Sequence, residues 1–222
     1  VRAEVAAACE FLGLDPPYVA NEGKLIAICA AADAGRPLAA MRAHPLGREL
    51  EFHDRVPSTN DLARDLGLAG APFGTVVFAE FQSAGRGRRE NRWSAEPRQD
   101  LLFSVVLRRE ARSGRFPRLA TLAAIGLCRA IEDECHLAPE IKWPNDLLLG
   151  GLKFCGILTE MFHCPAGPFL VLGAGVNVNR TTFPTELREI ATSLRLQAGG
   201  RTFDRTGLAI ALLRRLGEAI DS

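Results

Sequence analysis

From Gln82 to Trp93 the chain reads Gln-Ser-Ala-Gly-Arg-Gly-Arg-Arg-Glu-Asn-Arg-Trp, setting four arginines (Arg86, Arg88, Arg89 and Arg92) against the single acid Glu90. Gly85 and Gly87 allow the backbone to bend close around a ligand. Guanidinium groups offer paired donors to phosphate or carboxylate. The same composition also fits a solvated basic loop or a nucleic-acid-binding arm. A second group runs Lys142-Trp143-Pro144-Asn145-Asp146, followed by Lys153-Phe154-Cys155-Gly156-Ile157-Leu158. Both lysines stand in apolar, strand-rich surroundings, where a buried ammonium needs a partner unless its stem carries it to the surface. Asp146 suits either a magnesium ion or the cap of a turn. A third group, Gly173-Ala174-Gly175-Val176-Asn177-Val178-Asn179, suits a strand passing close to a nucleotide, or one that is simply tightly packed.

These groups need elements to hold them. Glu49–Val56 is predicted as a strand. Ser58-Thr59-Asn60-Asp61 has the form of a capping box, with Ser58 as N-cap and Asp61 at the third helical position. Leu62, Ala63 and Leu66 continue one face of that helix. Thr75–Phe81 is β-branched and aromatic, so it reads as a strand that delivers the arginine segment as a loop at a sheet end. Leu101–Leu107 is a further strand. Leu119, Leu122, Ala123, Gly126, Leu127, Ala130 and Ile131 recur at helical spacing and predict a helix over 117–134. Leu147–Leu149, then Gly150-Gly151, then Leu152–Met161 predicts a hairpin with a glycine turn. Phe169–Val178 is another strand, and Leu208, Leu212, Leu213, Leu216 and Ile220 mark a last helix. Hairpins exclude a purely parallel sheet, so the pattern predicts an α+β fold with a mixed sheet. Ahead of these lie residues 1–47, rich in alanine around a Gly13-Leu14-Asp15-Pro16-Pro17 turn. They carry a candidate strand within 19–28 and a candidate helix over 34–43. His44-Pro45-Leu46-Gly47 breaks the pattern, so two units are expected, 1–47 and 48–222.

The 222 residues carry a formal net charge of only +1, which excludes binding of a polyanion by charge alone. Any attraction for phosphate must be local. The six cysteines lack CxxC spacing and there are only four histidines, so a zinc site is not expected. Scattered thiols predict a reducing, cytoplasmic setting. No apolar run is long enough for a membrane helix, and Val1-Arg2-Ala3-Glu4 lacks the order of a signal peptide.

Taken in order, Ser58-Thr59-Asn60, Gly85-Arg86-Gly87-Arg88-Arg89, Lys142-Trp143-Pro144-Asn145-Asp146, Lys153-x-x-Gly156-Ile157-Leu158 and Gly173-x-Gly175-x-Asn177 resemble the successive signatures of bacterial biotin–protein ligases. The resemblance runs from about Leu46 to the end. It implies a fold like that of class II aminoacyl-tRNA synthetases, a mixed, largely antiparallel sheet backed by helices. It implies biotin contacts from Ser58, Thr59, Asn60, Gln82, Gly85, Arg86, Arg88, Lys153 and Gly156. It implies ATP contacts from Arg89, Trp93, Lys142, Asn145, Asp146 and Asn177, with Mg2+ on Asp146. Two departures stand out. Glu90 and Asn91 replace a glycine and a basic residue of the familiar motif, with Arg92 next to them. The chain also stops after the helix ending near Ile220, so the small β-barrel usual beyond it is expected to be absent. Residues 1–47 do not look like the DNA-binding winged helix of repressor-type ligases, and no DNA-binding domain is expected. Instead, the stretch from Gly13 to Leu25 is similar to the C-terminal domain of hydrogenase-maturation ATPases of the aminoimidazole-ribonucleotide-synthetase type. So short a fragment cannot close its own core and is expected to be non-catalytic.

The activity so implied joins biotin to ATP as biotinyl-5'-AMP and passes biotin to a lysine of a biotin carboxyl carrier protein. Arg88, Lys142 and Lys153, with magnesium, would supply fixed positive charge where phosphate charge develops. Lys153 would bridge the biotin carboxylate and the α-phosphate. Lys153 and Arg88 are the candidate catalytic pair, and no covalent enzyme intermediate is needed. The loop from Gly85 to Trp93 is expected to be loose before ligand binds. A homodimer is compatible with this reading. The rivals are a lipoate or octanoate transferase of the same superfamily, an arginine-rich nucleic-acid-binding module, and an inactive truncated fusion product. The first lacks its usual arginine-glycine-histidine-aspartate signature here. The lysines in apolar runs argue against the second.

Overall fold

The computed structural model describes residues 46–89, 91–108 and 118–221. The expected strand and helix of residues 1–47 lie outside the described residues. In chain order the elements are β1 (Leu50–His53), α1 (Thr59–Leu68), β2 (Val76–Ala79), β3 (Leu101–Leu107), α2 (Leu119–Cys135), β4 (Glu140–Lys142), β5 (Asp146–Leu149), β6 (Leu152–Cys164), β7 (Gly167–Val176), a 3-10 turn (Thr185–Leu187), α3 (Leu194–Gln197) and α4 (Arg205–Asp221). The strands form one open sheet in the order β1-β2-β3-β7-β6-β5-β4. Only β1 and β2 run parallel; the other pairs are antiparallel. This is the mixed, largely antiparallel sheet that the hairpin signals and the family resemblance predict.

Alternation along the strands divides the side chains between two layers. Leu101, Phe103, Val105 and Leu107 of β3 and Leu170, Leu172, Ala174 and Val176 of β7 face the larger core. There they meet Leu127 and Ile131 of α2 and Leu212 and Leu216 of α4. Val106 of β3 and Phe169 and Val171 of β7 face the other way, against Ala63 of α1. The face that carries α1 therefore also carries Ser104, Gly173 and Gly175. Leu46 is 1% exposed and belongs to the larger core. The glycine turn predicted between β5 and β6 forms with φ of 56° at Gly150 and 78° at Gly151, the left-handed pair a two-residue hairpin requires.

Three features differ from the sequence reading. Ser58 is the N-cap of α1 with an extended backbone, but its side chain makes no capping bond, so the capping box does not form. Asp61 turns outward instead, toward Arg64 at 3.4 Å and Arg86 at 2.9 Å. The edge strand β4 and the short α3 were not predicted, because neither is long enough to show a period. The third difference, a bulge in β6, shapes the site.

Candidate active site

β6 should alternate like its neighbours, which would send Lys153 toward the larger core, the side opposite Gly156. It does not, because the register between β5 and β6 shifts by one residue. Leu147 pairs with Cys155 but Leu148 pairs with Lys153. Phe154 and Cys155 both enter the larger core as consecutive residues. The extra residue re-aims what precedes it, and Lys153 emerges on the face of Gly156. There its Nζ meets Asp146 Oδ1 at 2.7 Å. Two alternatives are open for the lysines, burial with a partner or a stem that reaches the surface: Lys142 is exposed, and the Lys153 side chain keeps 34% exposure while paired with Asp146.

Gly156 and Gly175 are direct partners across β6 and β7 and make a flat patch on this face. The indole of Trp93 lies on it. A Cβ on Gly156 would stand 2.8 Å from the ring, and one on Gly175 would overlap it. Glycine is required at both by this close approach. Lys153 Nζ lies 5.5 Å from the centre of the same ring.

A cavity of about 140 Å³ opens beside this patch. The structure brings Ser58, Thr59, Asn60, Gln82, Arg86, Arg88, Trp93, Asn145, Asp146, Lys153 and Gly156 together around it. Ser58, Thr59 and Asn60 are buried at 2%, 3% and 5% exposure on the first turn of α1. Gln82 is oriented by Thr59, whose backbone N–H and hydroxyl reach Gln82 Oε1 at 2.7 and 3.0 Å. That leaves the Gln82 amide nitrogen as a donor.

The arginine segment is a small hairpin. Arg86 and Arg92 form an antiparallel bridge. Gly87 N–H donates to Asn91 O at 2.7 Å, and Trp93 N–H to Gly85 O at 2.9 Å. Arg88 donates to Asn145 Oδ1 at 3.3 Å from an exposed position. Arg86 is ion-paired with Asp61 and Glu160. Gly85 and Arg89 fall outside the first cavity, on the outer side of the hairpin.

A second cavity, of about 480 Å³, adjoins the first and shares Trp93, Asp146 and Lys153 with it. Lys142 and Asn177 line only this second one, with Arg180, Phe183 and Ile190. Asn177 Nδ2 donates to Thr192 O at 2.9 Å, which fixes the amide, and its buried Oδ1 has no hydrogen-bond partner. A buried acceptor left open in this way suits a ligand donor. Asp146 offers a single carboxylate between the two cavities, which could hold magnesium only together with phosphate oxygens of a ligand.

Arg180 was not singled out by the sequence, where it follows Asn177-Val178-Asn179 as one more polar residue. It is 1% exposed. It donates to Ser94 O and Thr182 O, both at 2.9 Å, and stacks 4.5 Å over Phe183. It thereby ties the end of the arginine hairpin to the segment after β7 that carries Asn177. Asp100, 4.0 Å from Arg180, accepts backbone N–H bonds from Glu96 and Val178. Burial pushes its carboxyl up to about 6, against the pull of those bonds and of Arg180.

The model of the biotin/lipoate A/B protein ligase family matches residues 52–177. The chain belongs to this family. Among relatives, the chain resembles the bifunctional ligase/repressor BirA of Bacillus subtilis, at 39% identity over 171 residues, 76% of this chain and 52% of BirA. The chain thus spans about half the length of that relative. Among solved structures, the chain resembles the biotin protein ligase from Aquifex aeolicus in complex with biotin and ATP. The TM-score is 0.69 at 27% identity, covering 78% of this chain and 71% of that one. A separate 49-residue stretch, 22% of this chain, is 78% identical to carbamoyl dehydratase HypE of Cupriavidus necator and covers 14% of it. This agrees with the hydrogenase-maturation resemblance read in the N-terminal residues.

Proposed function

We propose that this ligase condenses biotin with ATP to biotinyl-5'-AMP and then transfers biotin to a lysine of a biotin carboxyl carrier protein. The observation that carries the reading is the meeting of two cavities at one ammonium, Lys153, which lines both. A reaction between the carboxylate of one substrate and the α-phosphate of another needs such a junction. Biotin takes the first cavity, with Ser58, Thr59 and Gln82 at its far end and Arg88 and Lys153 toward the carboxylate. ATP takes the second, with Asn177, Lys142 and Trp93. Magnesium on Asp146 would neutralise charge on the departing pyrophosphate.

In the first step a biotin carboxylate oxygen bonds to the α-phosphorus and pyrophosphate leaves. Lys153 exchanges its bond with Asp146 for the carboxylate and α-phosphate oxygens, and so holds the two together as their charges approach. In the second step the acceptor amine attacks the anhydride carbonyl, AMP leaves, and the nitrogen gives up a proton. Residues 48–222 hold both cavities, and we assign the chemistry to them. The ATP requirement agrees with a cytoplasmic enzyme, and no helix among the described residues is long and apolar enough to cross a membrane.

The test is exchange of labelled pyrophosphate into ATP. Exchange should require biotin. Equal exchange with lipoate or octanoate would replace the substrate assignment, and exchange with no acid added would overturn the reaction.

A further inference from the structure

Arg86 lines the first cavity, yet its guanidinium is committed to protein. Nη1 donates to Asp61 Oδ1 at 2.9 Å and Nη2 to Glu160 Oε1. Glu160 Oε2 accepts from Asn60 Nδ2 at 2.9 Å. Asn60 Oδ1 lies 2.6 Å from the Ser104 hydroxyl, and that hydroxyl lies 2.8 Å from the Thr59 hydroxyl. Thr59 in turn holds the Gln82 amide. One carboxylate on β6 therefore starts two tethers. The first reaches Arg86 at the base of the arginine hairpin. The second runs through α1 and β3 to Gln82. Both ends of the segment 82–86 are held from the same group.

Glu160 itself lines a further cavity on the outer side of the hairpin, with Asp61, and has no place among the walls of the first. It shares the face of Gly156 but lies four residues farther along β6, beyond the floor of the cavity. Any effect on substrate must pass through its neighbours. Its side chain is 25% exposed and that of Arg86 36%. An ion pair this open adds little to global stability, so its consequence is local geometry.

We propose that Glu160 is a positioning residue for the biotin cavity, holding Arg86 and Asn60 so that the segment 82–86 and the first turn of α1 keep the spacing the ligand needs. The inference rests on the assignment of biotin to that cavity. The tether itself can be tested without biotin. Glu160→Gln keeps the size of the side chain but removes the charge and presents an amide to Arg86.

In the full chain, trypsin cleavage after Arg86, Arg88, Arg89 and Arg92, followed by mass spectrometry, should accelerate about 10-fold in Glu160→Gln, as expected for loss of a charge-assisted bond. KM for biotin should rise by about 10-fold in pyrophosphate exchange while KM for ATP stays within about twofold. Glu160→Asp keeps the charge with a shorter reach and should fall between wild type and Glu160→Gln in both readouts. Unchanged hairpin cleavage overturns the proposal, as does an equal rise in both KM values with a fallen melting temperature. If wild type shows no biotin-dependent exchange, the assignment of biotin fails, while the cleavage rates still decide whether Glu160 holds the hairpin.

Discussion

Among single residues, Lys153 stands where the two cavities meet. Its type was legible in the sequence, as a lysine before Gly156-Ile157-Leu158. Its placement was not. Plain alternation along β6 would have buried it in the larger core, and the bulge at Phe154 depends on how β5 pairs with β6, a choice no local pattern encodes. The ion pair with Asp146 is partly open, with side-chain exposures of 34% and 25%. Pairs of this kind contribute roughly 0–1 kcal/mol to folding. Lys153→Ala should therefore unfold within a few degrees of wild type yet form biotinyl-AMP about 100-fold more slowly, since a charge-assisted contact to the reacting groups is worth on the order of 3 kcal/mol. Thermal melts and single-turnover adenylation check this together. A large loss of stability with normal turnover per folded molecule would make Lys153 a structural residue. Arg180 and Glu160 show the other limit of sequence reading. Arg86 finds Glu160 across 74 positions and Arg180 finds Ser94 across 86. A lone charge carries no sign of so distant a partner.

At the scale of elements, periodicity was enough where an element is long. The helix predicted over 117–134 is α2 at Leu119–Cys135, and the strand predicted at Phe169–Val178 is β7 at Gly167–Val176. It failed where a side chain had two uses. Ser58 sits at the cap position without making the capping bond, and lines the cavity instead. Between elements, Asp100 joins the connection after the arginine hairpin to the strand end at Val178. Its carboxyl is pushed by burial from 3.8 up to about 6. Between those values the folded protein binds a proton that the unfolded chain does not. Stability from this group is thus present at low pH and falls as pH rises through about 6. Wild type should lose on the order of 1 kcal/mol relative to Asp100→Asn between about pH 5 and about pH 8, on the linkage of such a shift to folding. Denaturant unfolding of both proteins across that range checks it. Parallel curves would contradict a raised Asp100.

At the scale of the whole molecule, the chain joins two unequal relatives. The larger part belongs to the ligase family, and a 49-residue stretch resembles HypE. Leu46 and Gly47 already serve the ligase part, Leu46 in its core and Gly47 through a 2.8 Å bond to Gly74 O. A chain begun at Leu46 should keep biotin-dependent pyrophosphate exchange near the full-length rate. A folded truncation without exchange would show that the earlier residues complete the site. The order of the motifs made the family legible, while the junction of two cavities at Lys153 needed the fold. On this reading the junction makes an activated biotin and delivers it to one lysine. This is tested most directly by incubating the full chain with biotin, ATP, magnesium and a biotin carboxyl carrier domain, then measuring the intact mass of the carrier. The carrier should gain one biotinyl group on a single lysine, dependent on ATP and about 100-fold slower with Lys153→Ala. An unmodified carrier, or equal addition of a lipoyl group, would contradict it.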